Sequence, residues 1–139
     1  MIYALDTNII SFLLRRERNQ EVVRRFEDEI VQRGNYYVIP PLSYYEIYWH
    51  LLRKKATAQA RIFNGLYAGS LSKAGMKEAE FVKAAEIRAT LEEQGTPIGS
   101  DADIFIAAHC IINGYTLVTD NTSDFQRIGG GLEIVNWKK

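Results

Sequence analysis

Apolar positions fall in two rhythms along this chain. The run Ile2-Tyr3-Ala4-Leu5 stops abruptly at Asp6 and predicts a short buried strand. Ile9, Ile10, Phe12, Leu13 and Leu14 follow at helical density, with Asn8 placed to cap the helix. A charged stretch, Arg15-Arg16-Glu17-Arg18-Asn19, breaks the pattern. Val22, Val23, Phe26, Ile30 and Val31 then recur at helical spacing, and Gly34-Asn35 ends that helix. A second strand over 36–39 is closed by Pro40-Pro41. Further helices are expected over 43–54, 56–69 and 78–94, with a loop over 68–75 and a break at Gly95-Thr96-Pro97. An Ile-Ala helix over 102–113, closed by Gly114, leads into two last strands over 115–119 and 132–135. Gly129-Gly130-Gly131 reads as the turn before the second of these. Short, continuously apolar strands separated by helices predict an α/β fold with a mostly parallel sheet covered on both faces.

Composition narrows the class without naming it. A chain of 139 residues suits one domain and can bury a full core. Seventeen basic residues balance seventeen acidic ones, so net charge gives no support for nucleic-acid binding and local clusters must carry any such case. The one cysteine, Cys110, allows no intramolecular disulfide and suits a reducing, cytoplasmic setting. No signal-peptide pattern opens the chain, and no apolar run approaches the ~20 residues that span a bilayer, so no membrane association is expected.

Candidate chemistry lies in the acidic positions. Asp6 leaves the carboxyl end of a buried strand, the edge at which open α/β sheets bind ligands. Its plain alternative is a helix cap. Glu46 follows Ser43 in an S-x-x-E capping box, so a purely structural role fits it locally. Asp101 and Asp103 open the Ile-Ala helix, where Ser100 or Asp101 would cap and Asp103 would stand one turn inside an apolar helix. Asp120 and Asp124 follow the third strand in a composition typical of turns. Carboxylates that converge repel one another, by roughly 4 kcal/mol for a pair at ~4 Å and an effective dielectric of ~20. A divalent cation removes that cost, and an all-oxygen donor set selects Mg²⁺ or Mn²⁺. His50 and His109 lack Asp or Cys partners at ligand spacing and are read as structural. Neither a Ser-His-Asp or Cys-His set nor a phosphate-cradling glycine loop is legible.

Five stretches, taken in order, match a family. They are Tyr3-Ala4-Leu5-Asp6-Thr7-Asn8-Ile9; Ser43 with Glu46; Ile98-Gly99 with Ala102-Asp103 and Ile106-Ala107-Ala108-His109; Leu117 to Thr122 with Asp124-Phe125, Arg127 and Ile128; and Gly131 to Trp137. With these the chain resembles PIN-domain proteins almost end to end, and within them VapC-type toxin ribonucleases. The resemblance implies a single domain over 1–139, built as a three-layer α/β/α sandwich. It implies an acidic quartet of Asp6, Glu46, Asp103 and Asp124, with Asp6 and Asp103 as principal Mg²⁺ ligands. Asn8 and Thr119 would support the carboxylates by hydrogen bonds. Two departures stand out. Asp101 lies beside the expected aspartate, and Asp120 stands where relatives often carry a neutral residue, so either could join the quartet or replace a member of it. The family also implies RNA as substrate, single-stranded or looped, a homodimer, and a cognate VapB-type antitoxin.

RNA approaching an acidic site needs cations around it. Arg15, Arg16 and Arg18 follow the first helix, and Arg53, Lys54, Lys55 and Arg61 follow the Glu46 segment. They could hold phosphates, or form solvated helix faces. Tyr44, Tyr45, Tyr48 and Trp49 could stack on unpaired bases or pack in the core. Two alternatives compete with the nuclease: a catalytically inactive PIN-type RNA- or protein-binding module, and a small phospho-acceptor domain. The latter wants a paired acidic end on the first strand and a lysine after the last, and this chain supplies neither in place.

Overall fold

The computed structural model describes residues 1–72, 75–98 and 100–139, the side chain of Arg18 excepted. Lys73 and Ala74, in the expected loop, and Gly99, in the matched Ile98-Gly99 pair, lie outside the described residues.

Strand β1 (Ile2–Leu5) leads into α1 (Thr7–Leu14), a short 3₁₀ turn over Arg16–Arg18, and α2 (Gln20–Phe26), which continues as wider π turns over Glu27–Gln32. Strand β2 (Tyr36–Val38) follows, then α3 (Pro41–Lys54), α4 (Thr57–Ala68), α5 (Glu78–Glu93) and α6 (Asp101–Asn113). Strand β3 (Thr116–Val118), α7 (Thr122–Ile128) and β4 (Glu133–Val135) close the chain.

All strand pairs are parallel and the order is β2-β1-β3-β4. Ala4 pairs with Val38 on one side and with Leu117 on the other. Side chains alternate between two cores, as the pleat requires. Tyr3, Leu5, Tyr37, Ile39 and Val118 enter the core under α1 to α4, where Trp137 is fully buried. Ala4, Val38 and Leu117 enter the core under α5, α6 and α7. Helices therefore cover both faces of a parallel sheet, and the architecture is the expected α/β/α sandwich.

Three local details depart from the sequence reading. Helix α1 starts at Thr7, and its cap is Asp6, not Asn8; the Asp6 carboxylate accepts the Thr7 N–H at 2.8 Å. Helix α3 starts two residues early because Pro41 suits a first helical turn, where its missing N–H costs nothing. Ser43 is thus inside the helix, its buried hydroxyl without a partner among the described residues, and no capping box forms with Glu46. A helix, α7, occupies residues expected to be a turn.

From β1 the chain moves to one side to make β2, then crosses through four helices to the other side to make β3. The carboxyl ends of β1 and β3 lie at this reversal, where neighbouring connections diverge and leave an open edge. Residues leaving these two strands, Asp6 and Thr119, face that edge together.

Candidate active site

Asp6 is 4% exposed. Its backbone N–H continues the sheet ladder to the Val118 carbonyl at 3.0 Å, which fixes where the side chain starts. One carboxylate oxygen takes the Thr7 N–H, and the other takes the Thr119 hydroxyl at 2.7 Å. Burial raises the Asp6 pKa, the two hydrogen bonds pull it back, and Glu46 adds a further upward push.

Glu46 reaches the same edge from the second turn of α3. Its Oε1 accepts the Thr7 hydroxyl at 2.7 Å, so one residue, Thr7, serves Asp6 through its amide and Glu46 through its side chain. Asp103 comes from the first turn of α6, whose N-terminal end is a favourable place for an anion. Nothing among the described residues donates a hydrogen bond to its carboxylate. Burial, then the charges of Asp6, Glu46 and Asp124, push its pKa up to about 6. Asp124, on α7, is held below the usual carboxylate range by the Asn121 amide at 3.1 Å and by the Arg127 guanidinium.

Four acids from four separate segments therefore act on one another at one edge of the sheet. Their donors are all carboxylate oxygens, the set that hard divalent cations take. Asp103, without a donor and surrounded by negative charge, is the group that a cation would relieve most. The residues fit Mg²⁺ or Mn²⁺ by chemistry. They are not drawn around a common point: among the described residues no three Asp, Glu, His or Cys side chains form a closed cluster. Glu46 and Asp124 are each turned towards a hydrogen-bond partner instead.

The other singled-out residues separate. Thr119 is fully buried against Asp6. Among the described residues Asn8 bonds no carboxylate; its side-chain oxygen accepts the Asp120 N–H at 3.2 Å. Asp120 turns towards the C-terminal segment, accepting from the Asn136 amide at 3.0 Å and standing 3.6 Å from the Lys138 ammonium. Asp101 points to Arg88 on α5 at 3.5 Å, with its side chain 68% exposed. Arg16 pairs with Glu27 at 3.0 Å, and Arg53 lies over the Trp49 ring. Arg15, Lys54, Lys55 and Arg61 are exposed, with no acidic partner among the described residues. Tyr44 packs against Phe63 and Tyr67 in the core, whereas Tyr45, Tyr48 and Trp49 are exposed.

Thr7 serves both Asp6 and Glu46, and this double role has no local signature in the sequence. A buried pair supports the site from a distance. The imidazole of His109 meets Glu80, which is 1% exposed, and the other Glu80 oxygen accepts the Lys77 N–H at 2.8 Å. This pair braces α5 against α6, the helix that carries Asp103. An acidic residue on an otherwise apolar helix face was the only available hint.

Residues 3–131 match the PIN domain family. Ribonuclease VapC2 of Rickettsia felis is 28% identical over 139 residues, all of both chains. A tRNA(fMet)-specific endonuclease VapC of Shigella flexneri is 44% identical over 52 residues, 37% of this chain and 38% of that one. Among solved structures, VapBC2 of Rickettsia felis bound to a DNA fragment from its promoter contains a chain that superposes with a TM-score of 0.81. That chain is 27% identical, and the match covers 99% of each.

Proposed function

This chain belongs to the PIN-domain family, and on that premise we propose that it is a metal-dependent endoribonuclease of the VapC kind, a toxin restrained by a cognate VapB-type antitoxin. One observation carries the reading. Asp103, with no hydrogen-bond donor among the described residues, has its pKa raised to about 6 by burial and then by the charges of Asp6, Glu46 and Asp124. A module that only bound partners would gain nothing from tolerating such repulsion. Full-length similarity to a ribonuclease VapC2, and likeness to a chain of the VapBC2 complex, support the activity and the antitoxin. We assign single-stranded or looped RNA as the substrate class, one PIN domain over 1–139, a homodimer, and the cytoplasm as the setting. No helix among the described residues is long and apolar enough to cross a membrane.

Hydrolysis of a phosphodiester needs an activated water and stabilisation of charge growing on the phosphorus oxygens and the leaving group. Asp6 and Asp103 would hold Mg²⁺, or Mn²⁺ in its place. The ion, when bound, supplies positive charge against those oxygens and makes water more acidic. Asp6 is preset for this task, with both oxygens fixed by Thr7 and Thr119. Glu46 orients or deprotonates the attacking water. Asp124 assists once it yields one oxygen from its Asn121 and Arg127 bonds. The reaction is expected to form no covalent intermediate on a side chain.

The test is cleavage of structured RNA, with tRNA(fMet) as the first substrate, in Mg²⁺ and in EDTA. Cleavage is expected in Mg²⁺ alone, and it disappears in Asp6→Asn and Asp103→Asn. Asparagine caps helices as well as aspartate does, so Asp6→Asn keeps α1 intact. RNA binding by the unsubstituted chain without any metal-dependent cleavage would instead identify an inactive binding module.

A further inference from the structure

Helices α1 and α3 lie side by side and run the same way from the carboxyl edge of the sheet. At their start, Thr7 bonds Glu46. At their far end, a cavity of about 510 Å³ opens between them, with Ser11, Arg15, His50, Lys54 and Gln59 on its wall. Eight residues separate Glu46 from Lys54, which is about 12 Å along α3 at the helical rise. The cavity's cations therefore lie about two helical turns along α3 from the nearest of the carboxylates, none of which lines the cavity itself.

The charge at the far end is not neutralised. Seven cations elsewhere are paired with acids: Arg16 with Glu27, Arg24 with Glu21 and Asp28, Arg33 with Glu29, Lys83 with Glu86, Arg88 with Asp101, Arg127 with Asp124 and Lys138 with Asp120; Arg25, Lys55, Arg61, Lys77 and Lys139 have no acidic partner among the described residues but do not line this cavity. Arg15 and Lys54 have no acidic partner among the described residues. His50 Nδ1 lies 3.1 Å from an Arg53 nitrogen. The cavity wall thus carries a guanidinium, an ammonium, an imidazole, a hydroxyl and an amide beside the apolar Leu14, Ile47, Leu51 and Ala56, and the two cations are the charged donors that recognise phosphate oxygens.

We propose that the α1–α3 groove is a track for an RNA strand, in which Arg15 and Lys54 hold a phosphate flanking the one at the carboxylates. This deepens the ribonuclease reading and rests on it for the identity of the strand. It also separates the basic candidates: Arg16 and Arg53 are already engaged, Lys55 and Arg61 do not line the cavity, and the Arg18 side chain lies outside the described residues. A cation at a helix C-terminus also offsets the helix dipole, and that role alone predicts lost stability with RNA binding unchanged.

The test measures binding of a fluorescein-labelled single-stranded poly(U) oligonucleotide across a salt series. The protein carries Asp103→Asn to prevent turnover. Neutralising each of Arg15→Gln and Lys54→Gln is expected to lower the slope of log K against log salt by about 0.7, the contribution of one phosphate contact on a single strand. The double variant loses roughly twice that, while Lys83→Gln on α5 leaves the slope unchanged. Unchanged slopes in both variants, with or without a fall in Tm, overturn the subsite. So does intact RNA binding accompanied by lost binding of a polyglutamate peptide, which assigns the cavity to a protein partner. Mg²⁺-dependent cleavage by the unsubstituted chain is read separately. Slopes that fall without cleavage keep the track and remove the nuclease, whereas cleavage with unchanged slopes keeps the nuclease and removes the track.

Discussion

The hydroxyl of Thr7 donates to Glu46 Oε1 at 2.7 Å, across 39 positions of sequence. It fixes one acid on α3 against the cap of α1, so the first turn of one helix orients the candidate base on another. A hydrogen bond to a charged group contributes about 1.5–3 kcal/mol. Thr7→Val keeps the shape and removes the donor. RNA cleavage at saturating Mg²⁺ is expected to fall about tenfold or more, with Thr7→Ser close to the parent. Equal cleavage by Thr7→Val and the parent would show that Glu46 needs no such anchor.

Asp103 sets a pH dependence whose sign follows from its raised pKa. An unfolded chain releases this proton near pH 3.9. The folded chain keeps it to about 6. Between those values the folded state holds more protons, so its stability falls as pH rises and the penalty is complete above about 6. The Tm of Asp103→Asn minus that of the parent, both metal-free, should be larger at about pH 7.5 than at about pH 5. Mg²⁺ should raise the parent's Tm more at the higher pH, because the ion and the proton compete for one carboxylate. A pH-independent Tm difference would remove the crowding on which the metal assignment rests.

Asp120 is committed to the C-terminal segment, through Asn136 and Lys138, and the Lys138 ammonium lies over the Phe12 ring of α1. Asp120→Ala is expected to cost about 1 kcal/mol of stability, the scale of a net hydrogen bond. RNA cleavage at saturating Mg²⁺ should change little. Asp124→Asn should do the reverse, lowering cleavage with small effect on Tm. A large loss of Mg²⁺ affinity in Asp120→Ala would make Asp120, not Asp124, the fourth acid.

Glu80 and His109 make a brace remote from the carboxylates. Removing one partner of a buried polar pair strands the other, which costs about 1–3 kcal/mol. Glu80→Ala should lower the urea midpoint accordingly and leave Mg²⁺ affinity of the folded protein unchanged. A mild effect on stability would mean that water satisfies His109 in the variant.

The strands and longer helices were readable because burial imposes a period: apolar runs for two-sided strands, and stripes for helices packed on one face. The same reading mistook α7, which has only Phe125 and Ile128 as apolar anchors in seven residues, too few to mark a period. It also mistook Ser43 for a cap, although Pro41 two residues earlier carried the better start signal. Asp6 and Asn8 are equally competent caps by type. The Asp120 amide, brought from the far end of the chain, engages Asn8 and leaves capping to Asp6.

By itself the sequence determined the order of the strands and longer helices, the two-faced parallel sheet and the inventory of acids at strand and helix ends. These follow from short-range geometry and from which side chains must leave water. Tertiary structure alone decided the partner of each acid and the upward shift of the Asp103 pKa. Thr119 meets Asp6 across 113 positions, Asp101 and Asp120 are drawn off to Arg88, Asn136 and Lys138, and Asp103 is left to feel the rest. Hydrogen bonding and desolvation depend on what the fold carries into contact, and no local run of residues encodes that.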